Sequence, residues 1–132
     1  KALINNGRVY STDVCLPISK ITECVNFAEE QTKKFGLRAP MVGHLGDGNF
    51  HVLLPFDPED KEMYKKIRKF NDLLIKKSLE LNGTITGEHG IGLHKKEYLL
   101  QEHPDNIPIM KSIKRTIDPN NIMNPGKIFD LN

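Results

Sequence analysis

Cysteine is scarce in this chain of 132 residues. Cys15 and Cys24 form no Cys-x-x-Cys pattern, and they sit in an apolar strand-like run and a helix-like run, so both read as buried thiols of a reducing compartment. Also lacking is any concentration of charge. The net charge is +2 with lysine and arginine spread along the chain, which leaves no dense basic run to track a phosphate backbone and argues against nucleic acid as a partner. No apolar stretch approaches the roughly 20 residues that span a bilayer, and no signal-peptide pattern opens the chain. The expectation is therefore a protein of the cytoplasm or mitochondrial matrix, at most peripheral to a membrane. A phosphate-cradling loop is missing too, because no Gly-Lys-Ser/Thr follows the glycines near position 90 and no long strand precedes them. There is no internal repeat and no low-complexity run. The length suits one domain. Lys1 stands where a Met is usual and Lys1 to Val9 reads as a connecting segment, so a piece of a longer protein is expected.

What the sequence does have is Gly43-His44-Leu45-Gly46-Asp47-Gly48-Asn49-Phe50-His51. Asp47-Gly48 favours positive φ at both centres of a two-residue hairpin loop. Counting outward from that turn places His44 directly opposite His51, with their Cβ atoms roughly 5 Å apart on one face. Two imidazoles so placed can share a metal ion. Downstream, Thr86-Gly87-Glu88-His89-Gly90-Ile91-Gly92 sets a carboxylate and an imidazole among three glycines. Glu88 is the candidate third ligand, since two histidines and one carboxylate with open positions is a recurring catalytic set for zinc and other divalent metals. His94 and His103 lie in helix-like surface stretches and read as structural or solvated.

Periodicity supplies the frame. Tyr10 to Pro17 is rich in strand-favouring residues and ends at proline. Ser19 can cap a helix carrying Ile21, Val25, Ala28, Thr32 and Phe35, closed by Gly36. Met41–Leu45 and Phe50–Leu54 form the hairpin arms. Asp57-Pro58-Glu59-Asp60 opens a helix from Lys61 to Leu81, ended by Asn82-Gly83. A short strand, Thr84-Ile85-Thr86, follows, then helices over Leu93–Gln101 and Ile107–Ile117 and a docked tail, Ile122 to Phe129. Strand, helix, strand, strand, helix, strand is the order of a ferredoxin-like α+β fold, an antiparallel sheet with helices on one face. With the usual strand order 4-1-3-2, His44, His51 and Glu88 share one edge. The first strand then separates the third from the fourth, so Glu88 starts about 10 Å from the histidines, a gap the glycine bends and the long side chain must close.

These two motifs, with Met123-Asn124-Pro125-Gly126-Lys127 and the strand Ser11-Thr12-Asp13-Val14-Cys15-Leu16-Pro17, resemble the C-terminal domain of FAD-linked oxidases of the vanillyl-alcohol oxidase superfamily. The likeness is nearest to the D-lactate dehydrogenase (cytochrome) and glycolate oxidase flavin-subunit group and runs from Tyr10 to Phe129. It implies an FAD held by a separate N-terminal domain of the same chain, a divalent metal, zinc or manganese, on His44, His51 and Glu88, a base in His89, and a flavin contact from Asn124. The implied reaction is oxidation of a D-2-hydroxy acid to the 2-oxo acid, with a cytochrome, quinone or electron-transfer protein as acceptor; the fragment alone should be inactive. Relatives acting on D-2-hydroxyglutarate carry a lysine beside the first strand, near the point where Ser11 stands here, which favours a small monocarboxylic substrate. Two other readings share these residues: a metal-dependent hydrolase, and a non-catalytic ferredoxin-like binding module. The latter predicts exposed aromatics on the sheet face, where this sequence puts histidines and aliphatics.

Overall fold

In the computed structural model, which describes residues 7–131, the described chain forms two compact units, divided between Glu88 and His89. The first six residues of the expected 1–9 linker lie outside the described residues, and Arg8 and Val9 already belong to a strand.

The first unit is a four-stranded antiparallel sheet with two long helices. β1 (Arg8–Ser11) and β2 (Val14–Cys15) precede α1 (Ile21–Phe35), then come β3 (Met41–His44), β4 (Asn49–Phe56) and α2 (Lys61–Glu80). β4 is the hub. Its outer half pairs with β1, from Arg8↔Phe56 to Ser11↔Leu53, and its inner half pairs with β2 at Val14↔Phe50 and Cys15↔Asn49. β3 pairs with β4 from Met41↔Val52 to His44↔Asn49. The single strand expected from Tyr10 to Pro17 is thus two pieces, yet the register across Thr12-Asp13 is unbroken. On the far side of β2, Cys15 bridges to Thr84, so the expected fourth strand shrinks to one paired residue. Reading across gives Thr84, β2, β4, β3, which is the 4-1-3-2 order of a ferredoxin-like sheet.

Alternation along β4 sends Phe50, Val52 and Leu54 into the core at 0–1% exposure, where α2 packs on β2 and β4 and α1 packs on α2. Ile67, Phe70 and Leu74 of α2 and Cys24 and Ala28 of α1 complete the layer, all fully buried. Large apolar side chains so buried contribute roughly 1.5–3 kcal/mol each. Cys24, not the expected Val25, turns furthest inward, and burial pushes its thiol up to about 11, far from the thiolate a reactive cysteine needs. Helix ends follow their local chemistry. Asp60 accepts the Met63 N–H at 2.8 Å to cap α2, and Gly36 closes α1 at φ 65°. Ser19 does not cap α1; it lies in a short 3-10 turn, Ile18–Lys20, that leads into it.

The second unit contains α3 (Lys96–Glu102) and α4 (Ile107–Ile117). The helix expected from Leu93 starts three residues later, because Gly92, at φ 53°, opens a turn instead. Asp118 ends α4 and organises the chain beyond it: its carboxylate accepts the Ile122 and Met123 N–H groups at 3.0 and 2.9 Å and pairs with Lys114. The Lys114 ammonium, followed by the two backbone donors, holds the Asp118 carboxyl below the ordinary range. The tail folds back on its own unit. Ile128 N–H reaches the Gly92 carbonyl at 2.8 Å, and Lys96 Nζ contacts the Gly126 carbonyl at 3.2 Å and the Asp130 carboxylate at 2.8 and 2.9 Å.

Candidate functional site

The sheet face turned away from the helices carries the polar cluster. His51, opposite Val42 in the ladder, is buried at 7% exposure. Its ring is oriented by a local departure from ladder geometry at Thr12. Thr12 N–H donates to the Val52 carbonyl at 3.1 Å as an antiparallel pair should, but Val52 N–H returns to the Thr12 hydroxyl oxygen at 2.8 Å rather than to its carbonyl. The freed Thr12 carbonyl lies 2.9 Å from His51 Nδ1. A carbonyl can only accept, so Nδ1 carries the hydrogen and Nε2 faces away from the strand. At 2.9 Å from Nε2 lies Glu88 Oε1. The lateral gap expected between these residues is closed.

His44 does not stand where the turn suggested. It pairs with Asn49, not with His51, because the loop is four residues long, with Leu45–Asp47 in a 3-10 turn and Gly48 at φ 82°. The cause is tertiary: Leu16 N–H donates to the Gly48 carbonyl at 2.9 Å, and a Cβ at Gly48 would sit 2.2 Å from the Leu16 carbonyl oxygen. His44 and His51 still share a sheet face, on a diagonal, which Cβ spacing puts at roughly 7–8 Å; His44 is exposed. His89 opens the second unit and is exposed. Asn124, also in that unit, is exposed at φ 47° and borders a cavity of about 220 Å³ with Met123, Lys127 and Phe129.

Two residues that the sequence reading passed over belong to the cluster. Asp13, 2% exposed, accepts the Thr86 hydroxyl at 2.7 Å and the Glu88 N–H at 3.2 and 3.3 Å. An aspartate inside a strand-forming run is itself a signal, since strands are depleted in it. Asn49, 6% exposed, has an Oδ1 with no hydrogen-bond partner, and its carboxamide packs on Gly87.

These donors fit a divalent cation. A histidine whose far ring nitrogen is tied to a backbone carbonyl is the usual arrangement of a metal-ligating imidazole. The Glu88 carboxylate oxygen 2.9 Å from Nε2 supplies a second donor, and the unpartnered Asn49 oxygen is a third polar group on the same face. For FAD the fit is partial. A cavity of about 220 Å³ in the second unit is smaller than the roughly 300–1,000 Å³ that encloses a drug-sized ligand, too small to enclose the dinucleotide.

Comparison with known proteins gives one family match, described as "FAD linked oxidases, C-terminal domain", over residues 2–128. The probable mitochondrial D-lactate dehydrogenase of Danio rerio is 42% identical over 131 residues, covering 98% of this chain and 26% of that protein. The glycolate oxidase subunit GlcD of Bacillus subtilis is 36% identical, covering 89% of this chain and 25% of that protein. Among solved structures, a 4-ethylphenol oxidase from Gulosibacter chungangensis shares the fold with a TM-score of 0.67 at 19% identity, over 96% of this chain and 26% of that one. The chain spans about a quarter of the length of these proteins.

Proposed function

Because the chain belongs to the FAD linked oxidase C-terminal domain family, we propose that it is the substrate- and metal-binding part of a flavin-dependent D-2-hydroxy acid dehydrogenase of the D-lactate or glycolate type. The observation that supports this reading most is the pair of His51 Nε2 and Glu88 Oε1 at 2.9 Å, a nitrogen and an oxygen close enough to serve one ion together. His51, Glu88 and His44 would hold zinc or manganese. Bound there, the ion would supply Lewis acidity at the substrate hydroxyl, and an FAD held by a preceding domain would supply the hydride acceptor. The residues of this chain do the rest. His51 is kept in one tautomer by the Thr12 carbonyl, so its metal-facing nitrogen needs no reorganisation. His89, next in sequence to a ligand, accepts the hydroxyl proton as general base. Asn124 would contact the flavin. Val42 and Leu53 lie on the histidine face and suit the short aliphatic stem of a small hydroxy acid. The electron acceptor is a cytochrome, quinone or electron-transfer protein, and the site of action is mitochondrial, as the name of the zebrafish relative has it.

The test is made on the full-length protein. Purified material should contain FAD and a divalent metal and should reduce an artificial dye with D-lactate or glycolate. His89→Ala should lower kcat by about 10²–10⁴-fold, the usual share of a general base. Near-normal turnover in that variant would remove His89 from the role, and absence of bound flavin would remove the reading altogether.

A further inference from the structure

Asp13 is a buried carboxylate to which the chemistry above gives no task. Its position is set by register. The pairings Ser11↔Leu53 and Val14↔Phe50 continue one ladder across the break, which puts Asp13 directly opposite His51. On the other edge, the antiparallel bridge Cys15↔Thr84 puts Asp13 opposite Thr86. Asp13 therefore occupies the middle strand of three, between the strand that carries His51 and the segment that carries Glu88. Neighbouring strands lie about 4.8 Å apart, so the backbones of His51 and of the Glu88 segment are separated by two such steps, with Asp13 on the strand between them.

The carboxylate bonds one of these neighbours and lies close to the other. Toward the Glu88 segment it accepts the Thr86 hydroxyl at 2.7 Å and the Glu88 backbone N–H at 3.2 and 3.3 Å. Toward β4, Oδ1 lies 3.8 Å from His51 Nδ1, beside the nitrogen that bonds the Thr12 carbonyl. Its side chain is fully enclosed, at 0% exposure. Hydrogen bonds to a charged acceptor are worth about twice a neutral one, and a carboxylate with two oxygens can serve a hydroxyl and an amide at once. An apolar residue there would leave the Thr86 hydroxyl and Glu88 N–H to find other partners, and the bend at Gly87 would lose its anchor.

We propose that Asp13 is a positioning residue for the metal site: by fixing the Thr86–Glu88 segment against the strand opposite His51, it sets the separation of His51 Nε2 and Glu88 Oε1. This rests on the metal-dependent reading above, and it predicts a specific pattern in the full-length protein. Asp13→Asn keeps one acceptor oxygen but turns an NH₂ toward a donor. It should weaken zinc or manganese binding, titrated after chelator stripping, by roughly 10–100-fold, the usual effect of losing a group that orients a metal ligand. Crystal structures of the two proteins should show His51 and Glu88 drawn apart. Thr86→Val removes a single contact of Asp13 at nearly constant volume and should shift both readouts in the same direction by less, which keeps the idea testable should the Asp13 variant fail to fold. Wild-type metal affinity with a lowered Tm would reduce Asp13 to a structural residue and overturn the proposal. So would an unchanged Nε2–Oε1 separation. If the unmutated protein takes up neither metal, it is the metal-dependent reading that fails, and the crystallographic comparison still decides whether Asp13 positions the pair.

Discussion

At the scale of single residues, the site depends on side chains that are absent as much as on those present. Gly87 is the clearest case. A Cβ there would lie 2.4 Å from Asn49 Oδ1 and 2.6 Å from its Cγ, and Asn49, 6% exposed, has little room to withdraw. Gly87→Ala should destabilise the chain by about 1–3 kcal/mol, the range for overpacking a closed site, as measured by urea unfolding. Adding Asn49→Ala should recover much of the loss; a double variant as unstable as the sum of the two singles would place the strain elsewhere. Asp13 and Asn49 illustrate what a sequence withholds. Alternation puts Asn49 on the face of His51, but nothing in the spacing pairs Asp13 with His51 or Asn49 with Gly87, since those contacts run through a ladder register and a loop approach that exist only after folding. Glu88 was legible because glycines on both sides announce a bend; its distance to His51 was not, because that depends on how far the bend carries it.

Elements were legible in proportion to their length. α2 and α4 begin and end within a residue of where apolar periodicity and capping chemistry put them, Lys61–Glu80 and Ile107–Ile117. The hairpin was misjudged because Asp47-Gly48 is a strong local signal that a long-range contact overrides: Leu16 bonds the Gly48 carbonyl at 2.9 Å, and the loop widens to four residues to allow it. The end of α4 makes a prediction of its own. Asp118 accepts two backbone N–H groups of the following turn, and its carboxyl is held below the ordinary range by Lys114 first and those donors next. Lowered in the folded state, it contributes stability that is present above the ordinary carboxylate pKa and is lost as pH falls through the depressed one. Amide exchange at Ile122 and Met123 should therefore quicken on acidification, and Asp118→Asn should show that faster exchange already at neutral pH. Unaltered protection in the variant would mean that the turn is held by something else.

For the molecule as a whole, the two units differ in how well their apolar surface is hidden. Phe50, Phe70, Leu54 and Leu74 of the first are at most 1% exposed. By contrast, α4 presents Ile109, Ile113 and Ile117 at 61%, 55% and 70% exposure, followed by Ile122 at 77%, a stripe at helical spacing. Contiguous apolar surface of this kind is uncommon on a monomer in water. The 132-residue chain by itself should bind a hydrophobic dye and self-associate at high concentration, and Ile113→Lys with Ile117→Lys should abolish most of both. Equal dye binding in the substituted chain would assign the signal to another surface. A different consequence follows from the ladder that passes without interruption through Thr12 and Asp13. Because side chains alternate faces with every residue, one insertion or deletion between Ser11 and Val14 would turn the carboxylate toward the helices and an aliphatic toward His51. This short stretch should therefore be even less tolerant of a change of length than of a change of residue.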